Sequence, residues 1–119
     1  MKKTILAIDD NKETLFLEGV VLTQAGYQVH TALGGEAALK MIHELKEIDL
    51  ILLDYEMAGM NGPEFLAALE KQYPLVFEQT PVIYATAHEN PPQKLNKSWI
   101  PKLRDIDKFI KDVERFITP

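Results

Sequence analysis

The sequence contains no cysteine, which excludes a disulfide framework and any thiolate metal site. Basic residues are in deficit: 13 Lys and Arg stand against 18 Asp and Glu, a formal net charge of −5. A nucleic-acid partner is therefore not expected, because a phosphate backbone rewards a basic surface. An anionic membrane face is disfavoured for the same reason. Long apolar runs are also missing, and nothing approaches the roughly 18 residues that a membrane-spanning helix needs. After Met1-Lys2-Lys3 only the short run Thr4 to Ile8 precedes two acids, too little for a secretory signal. There is no low-complexity tract, long linker or sequence repeat. A cytoplasmic location is the expectation.

What is present has the composition of an ordinary globular domain, with 46% hydrophobic residues over a length that suits one domain, 1–119. Short apolar runs alternate with amphipathic stretches, the pattern of βα units on a parallel sheet. Ile5 to Ile8 is continuous rather than alternating, as a strand covered on both faces requires. Thr14 to Ala25 carries Leu17, Val21, Leu22 and Ala25 at helical spacing, and Gly26 stops it. Tyr27 to Ala32 reads as a second strand. Glu36 to Leu45 reads as a helix with Ala37, Ala38, Met41 and Ile42 or Leu45 inward.

Asp49 to Leu53 is the most apolar strand, and Asp54 stands at its carboxyl end. Gly59 to Gly62 forms a loop, Pro63 suits a first helical position, and Phe65 to Gln72 continues that helix. Pro81 to Ala85 is a fourth strand, and Trp99 and Ile100 a weak fifth. Asp105 to Ile117 closes the chain with Ile106, Phe109, Ile110, Val113, Phe116 and Ile117 on one stripe. Between Thr86 and Trp99 the pair Pro91-Pro92 stands where a helix should begin. The fourth helix is predicted to be short or missing.

In an open parallel sheet, ligands bind beyond the carboxyl ends of the strands. Asp9 and Asp10 end the first strand, Asp54 the third and Thr86 the fourth, and Lys102 follows the fifth. Three carboxylates brought together repel one another and stay ionised only beside a cation. Hard oxygen ligands suit Mg2+, which takes one or two carboxylates and phosphate oxygens. A lysine and a threonine hydroxyl at the same place supply a point charge and a donor for a phosphoryl group. The residue types thus point to Mg2+-assisted phosphoryl transfer onto a carboxylate. His30, His43 and His88 lack zinc-like spacing.

The segments Ile8-Asp9-Asp10-Asn11, Leu52 to Met57 with Met60-Asn61-Gly62, Tyr84 to Ala87 and Ile100-Pro101-Lys102 resemble the response-regulator receiver family. The resemblance runs in order over essentially the whole chain. It implies a three-layer, doubly wound α/β fold with a five-stranded sheet of order 2-1-3-4-5, the flavodoxin-like receiver fold. It implies that Asp54 accepts phosphate, that Asp10 binds Mg2+ directly and Asp9 largely through water, and that the carbonyl of Glu56 is a further ligand. Thr86 matches the switch hydroxyl, Lys102 the phosphate-binding lysine and Trp99 the aromatic that turns inward. The implied phosphodonor is a histidine kinase or histidine phosphotransfer protein, and the implied output a protein target. The only catalysis implied is phosphorylation and dephosphorylation of Asp54 itself.

Two residues after Asp54 and Thr86, Glu56 and His88 can flank an attacking water and tune the lifetime of the phosphate. Leu15 and Phe16, off the inner stripe of the first helix, suggest a docking surface for the phosphodonor. The family usually has a cis proline after the lysine, whereas here Leu103 follows and Pro101 precedes. A non-proline cis bond costs about 2.5–4 kcal/mol, so a different lysine loop is expected. Ala58 also replaces a habitual proline. Two readings stay open on this fold: a stand-alone phosphorylated receiver, and a phosphate-independent pseudo-receiver acting as an interaction module. A Mg2+ phosphohydrolase would need a substrate pocket and a separate acid or base, neither of which the sequence offers. No effector segment is recognisable that would make a transcription factor.

Overall fold

Strand β1, Thr4–Asp9, is buried at every position, as its near-continuous apolar run requires for a strand covered on both faces. The computed structural model describes residues 2–87 and 98–117. Helix α1 follows at Lys12–Gln24, then β2 at Gln28–Leu33, α2 at Gly35–Glu44, β3 at Leu50–Asp54 and α3 at Gly62–Gln72. After these come α4 at Pro74–Gln79, β4 at Val82–Thr86, β5 at Trp99–Pro101 and α5 at Ile106–Glu114. The strands form one parallel sheet of order β2-β1-β3-β4-β5. The three-layer, doubly wound five-stranded architecture expected from the sequence is therefore present.

The sheet separates two cores. One unites Leu6, Ile8, Leu53 and Tyr84 with the inner faces of α2 and α3, through residues such as Ile42, Phe65 and Leu69. The other unites Ile5, Leu52, Ile83 and Ile100 with Leu15 and Leu22 of α1 and Phe109 and Val113 of α5. Both helix pairs shield the strands, so the carboxyl-end rim is the place where polar side chains collect.

Several local expectations are corrected. In α1 the buried positions are Leu15, Glu18, Val21 and Leu22, whereas Leu17 is 54% exposed and Ala25 lies in the exposed turn after the helix. Glu18 occupies a place on the inner stripe that an apolar residue would ordinarily hold, and this charge disguised the true phase of the helix. In α2 the inward residues include Leu39, with Ala37 and Met41 only partly covered. Ile106 is exposed, because Asp105 is the N-cap of α5 and the inward stripe begins at Phe109.

Helix α4 was not expected. Pro74 follows Tyr73, the C-cap of α3, and opens a six-residue helix of its own, since proline starts a helix as readily as it ends one. This fourth helix in chain order is short, but it precedes β4. The crossover from β4 to β5, for which a curtailed helix is predicted, falls at 88–97 and outside the described residues.

Candidate functional site

The rim is assembled by three turns, each stabilised locally. After Asp9, the Asn11 side chain caps α1 by accepting from the Thr14 backbone N–H at 2.9 Å, so only two residues separate strand from helix. After Asp54, the chain returns to α3 through a capping box in which Asn61 and Glu64 each accept the other's backbone N–H, at 2.9 and 3.0 Å. Gly62 lies so close to β3 that a Cβ there would stand 2.7 Å from Tyr84 Cε1 and 3.1 Å from the Asp54 carbonyl oxygen. Any larger residue there would force Tyr84 or the start of α3 to shift. On the far side, the Lys102 N–H donates to the Thr86 carbonyl at 2.9 Å, extending the β4–β5 pairing to the lysine.

These turns bring Asp9, Asp10 and Asp54 together, with one carboxylate oxygen from each lying within 4.8 Å of the others. Asp9 and Asp54 are buried and Asp10 is exposed. Asp9 Oδ1 accepts from the Asn11 N–H at 3.0 Å, and Asp10 Oδ2 from the Ala58 N–H at 2.8 Å. Lys102 Nζ bridges the two buried acids, 3.0 Å from Asp9 Oδ2 and 3.2 Å from Asp54 Oδ1. The Glu56 backbone N–H also donates to Asp54 Oδ1, at 3.3 Å. Asp54 Oδ2 is buried with no hydrogen-bond partner. An orphaned carboxylate oxygen beside two further acids is the arrangement that a hard divalent cation satisfies.

The electrostatics follow from this crowding. Burial, and then the charge of Asp9, push the Asp54 carboxyl up to about 6 against the opposing pull of Lys102. Burial alone would depress Lys102, but its contacts with Asp9 and Asp54 outweigh that and hold it above its usual value. The lysine is therefore charged at neutral pH.

Thr86 is buried at the end of β4. Trp99 pairs in register with Tyr84 and is partly buried against the core on the α2/α3 side of the sheet. Tyr84 in turn meets Tyr55 edge to face, with ring centroids 5.2 Å apart. Leu103 packs against the α1/α5 core, and no peptide bond among the described residues is cis. The lysine reaches both acids with a leucine after it. The Glu56 side chain is exposed at the rim, while His88 lies outside the described residues. Phe16 is exposed on α1 as expected, and Leu15 is buried, contrary to its assignment off the inner stripe.

The response regulator receiver domain model matches residues 5–99. The chain belongs to this family. It is 40% identical over 83 residues to the transcriptional regulatory protein CpxR of Escherichia coli, covering 70% of this chain and 33% of that protein. It is 36% identical over 88 residues to the transcriptional regulatory protein GlrR of the same species, covering 74% of this chain and 19% of that protein. The chain thus spans between a fifth and a third of the length of these regulators. Among solved structures, it resembles chemotaxis protein CheY4 of Vibrio cholerae with a TM-score of 0.85 and 27% identity, over 98% of this chain and 99% of that one. It also resembles the response regulator TrrA of Thermotoga maritima, solved in complex with Mg2+ and BeF, with a TM-score of 0.80 and 28% identity over 96% and 98% of the two chains. This receiver domain is accordingly a signalling module of the two-component type. No helix among its described residues is long and apolar enough to cross a membrane.

Glu18 is a buried acid that the sequence reading missed. It is 2% exposed, and its carboxyl feels the charges of Asp9, Lys102 and Asp54. The available signal was its spacing, three residues after Leu15 and three and four before Val21 and Leu22.

Proposed function

We propose that the domain accepts a phosphoryl group on Asp54 in a Mg2+-dependent phosphorelay and passes the event to a protein target. The observation that carries this reading is the state of Asp54. Its Oδ1 is engaged by Lys102 and the Glu56 N–H, its buried Oδ2 has no partner, and its carboxylate belongs to the cluster with Asp9 and Asp10. One carboxylate is thus held in place with an oxygen to spare.

Asp9, Asp10 and Asp54 would hold the ion, with the Glu56 carbonyl as a further ligand. Bound Mg2+ would neutralise the carboxylates and the charge on the phosphoryl oxygens. An Asp54 oxygen attacks phosphorus as the bond from phosphorus to the donor's histidine nitrogen breaks, and the imidazole leaves with that electron pair and takes a proton. Lys102 supplies a fixed positive charge within reach of the incoming phosphoryl oxygens. Thr86 and Trp99, neighbours of Lys102 across β4 and β5, carry the response outward, and Glu56 and His88 tune the lifetime of the phosphate. Phe16, Leu17 and Val20 are exposed on the outer face of α1 and give a histidine kinase or phosphotransfer protein an apolar surface beside the rim.

The test is incubation with Mg2+ and acetyl phosphate, wild type beside Asp54→Ala, followed by intact mass. The wild type should gain one acid- and base-labile phosphoryl group and the variant none. A wild type that stays unmodified, or uptake that persists in Asp54→Ala, would defeat the reading and favour a phosphate-independent interaction module.

A further inference from the structure

Tyr84 is buried in the middle of β4, with β3 on one side of it and β5 on the other. Its ring meets the turn after Asp54 at both ends. It packs edge to face on Tyr55, with centroids 5.2 Å apart. At the other end its Cε1 leaves no room for a Cβ on Gly62, which would stand 2.7 Å away. The backbone ties the same residues together: the Tyr55 N–H donates to the Ala85 carbonyl at 3.3 Å, and the Gly62 N–H to the Tyr55 carbonyl at 3.1 Å. Towards β5, Trp99 is the register partner of Tyr84, and the Tyr84 N–H donates to the Ser98 carbonyl at 3.0 Å. Register partners on neighbouring strands present their side chains to the same face of the sheet. Tyr55 and Trp99 both pack against the core that contains Tyr84. Three aromatic side chains therefore cross the sheet in a row, from the residue after Asp54 to the edge strand.

We propose that Tyr84 is a positioning residue that couples the turn after Asp54 to Trp99 through this row of rings, a route separate from the Thr86 hydroxyl. The inference rests on the reading of Asp54 given above and goes beyond it. The turn carries the two N–H groups that hold the acids, Glu56 on Asp54 Oδ1 at 3.3 Å and Ala58 on Asp10 Oδ2 at 2.8 Å. A phosphoryl group on Asp54 changes what those carboxylates accept, so it pulls on the turn. The turn cannot absorb that pull locally, because Tyr84 fills the space between its two ends. Close-packed interiors are poorly compressible and pass strain to the next neighbour. An aliphatic side chain would suit a central strand equally well, but a ring is a rigid plate with a fixed edge and face. Displacing one edge of Tyr84 moves the side that Trp99 packs beside.

Trp99 is the only tryptophan of the chain, and its emission is the reporter. The full chain is incubated with Mg2+ and acetyl phosphate, and phosphate gained (by intact mass) and emission are read on the same samples, each protein against its own unmodified baseline. The wild type should shift its emission as phosphate is gained. Tyr84→Phe keeps the ring and should keep the shift. Tyr84→Leu and Tyr55→Leu each break the row and should lose most of the shift per phosphoryl group gained. Thr86→Ala leaves the row intact and should retain part of it. A full shift in Tyr84→Leu, its loss in Tyr84→Phe or Thr86→Ala, or a phosphorylated wild type with unchanged emission would overturn the proposal. Should Tyr84→Leu fail to fold, a full shift in Tyr55→Leu, which leaves the surroundings of Trp99 untouched, would overturn it instead. A wild type that takes no phosphate defeats the Asp54 reading, and the coupling is then decided by Gly62→Ala, whose methyl presses on Tyr84. Its Trp99 emission should differ from wild type, and the same methyl should make no difference in a Tyr84→Leu background. Wild-type emission in Gly62→Ala would overturn the coupling.

Discussion

The two faces of the sheet are packed to different rules. On the α2/α3 face the helices bury only glycine and apolar residues, with Phe65, Leu69 and Ile42 closing on Leu6, Leu53 and Tyr84. On the α1/α5 face the helices also bury two acids, Glu18 in α1 and Asp112 in α5. Asp112 is answered by Lys108 and Arg115, at 3.1 and 3.2 Å. Glu18 is not answered at Oε2. One face is built for stability, and the other gives up some of that stability beside the rim where Lys102 and the aspartates meet. Buried polar groups cost free energy unless paired, so the asymmetry divides support from chemistry.

Substitutions that erase the division should rank accordingly. The largest loss is expected for Phe65→Ala on the apolar face, about 3–5 kcal/mol by urea denaturation, since a fully buried ring leaves a cavity. Gly62→Ala should cost about 1–3 kcal/mol in the same measurement, because the added methyl meets the backbone of Asp54 and Tyr55 as well as Tyr84. Retention of full stability in that variant would mean that α3 can move away from β3 without loss.

A pH titration probes the other face. The Glu18 carboxyl is raised from about 4.5 to about 8 in the folded protein. Between those values the native state holds a proton that the unfolded chain has released, so stability falls as pH rises. Melting temperature in cation-free buffer should decline from pH 5 to pH 8, and the decline should be shallower in Glu18→Gln. Equal slopes would mean that the Glu18 carboxyl titrates alike in both states. The smallest effect belongs to Lys108→Ala. Its side chain is 63% exposed and Arg115 still answers Asp112 at 3.2 Å, so the loss should stay below about 1 kcal/mol.

The fold was largely legible before the structure because strands of a covered parallel sheet announce themselves as apolar runs. Ile5 to Ile8 and Leu50 to Leu53 admit few other readings, and the acids at their carboxyl ends follow from chain direction. The phase of α1 was not legible. Leu15 and Leu17 are equally apolar, and only knowledge that Glu18 is buried tells which of them faces inward. Helix α4 was hidden for a related reason: Pro74 reads as a stop after α3, and a start needs the following residues to pack. The close approach at Gly62 was likewise invisible, since a glycine in a turn carries no record of what stands near it.

Sequence alone determined the layered α/β architecture and the presence of Asp9, Asp10, Asp54, Thr86 and Lys102 at the strand ends, because hydrophobic periodicity and strand polarity are local properties. Only the tertiary structure decided that Lys102 spans Asp9 and Asp54 with Leu103 behind it, that Asp54 Oδ2 is left without a partner, and that Glu18 is buried. Those are facts of distance and desolvation. They arise where four separate βα units converge, and no single segment of the chain encodes them.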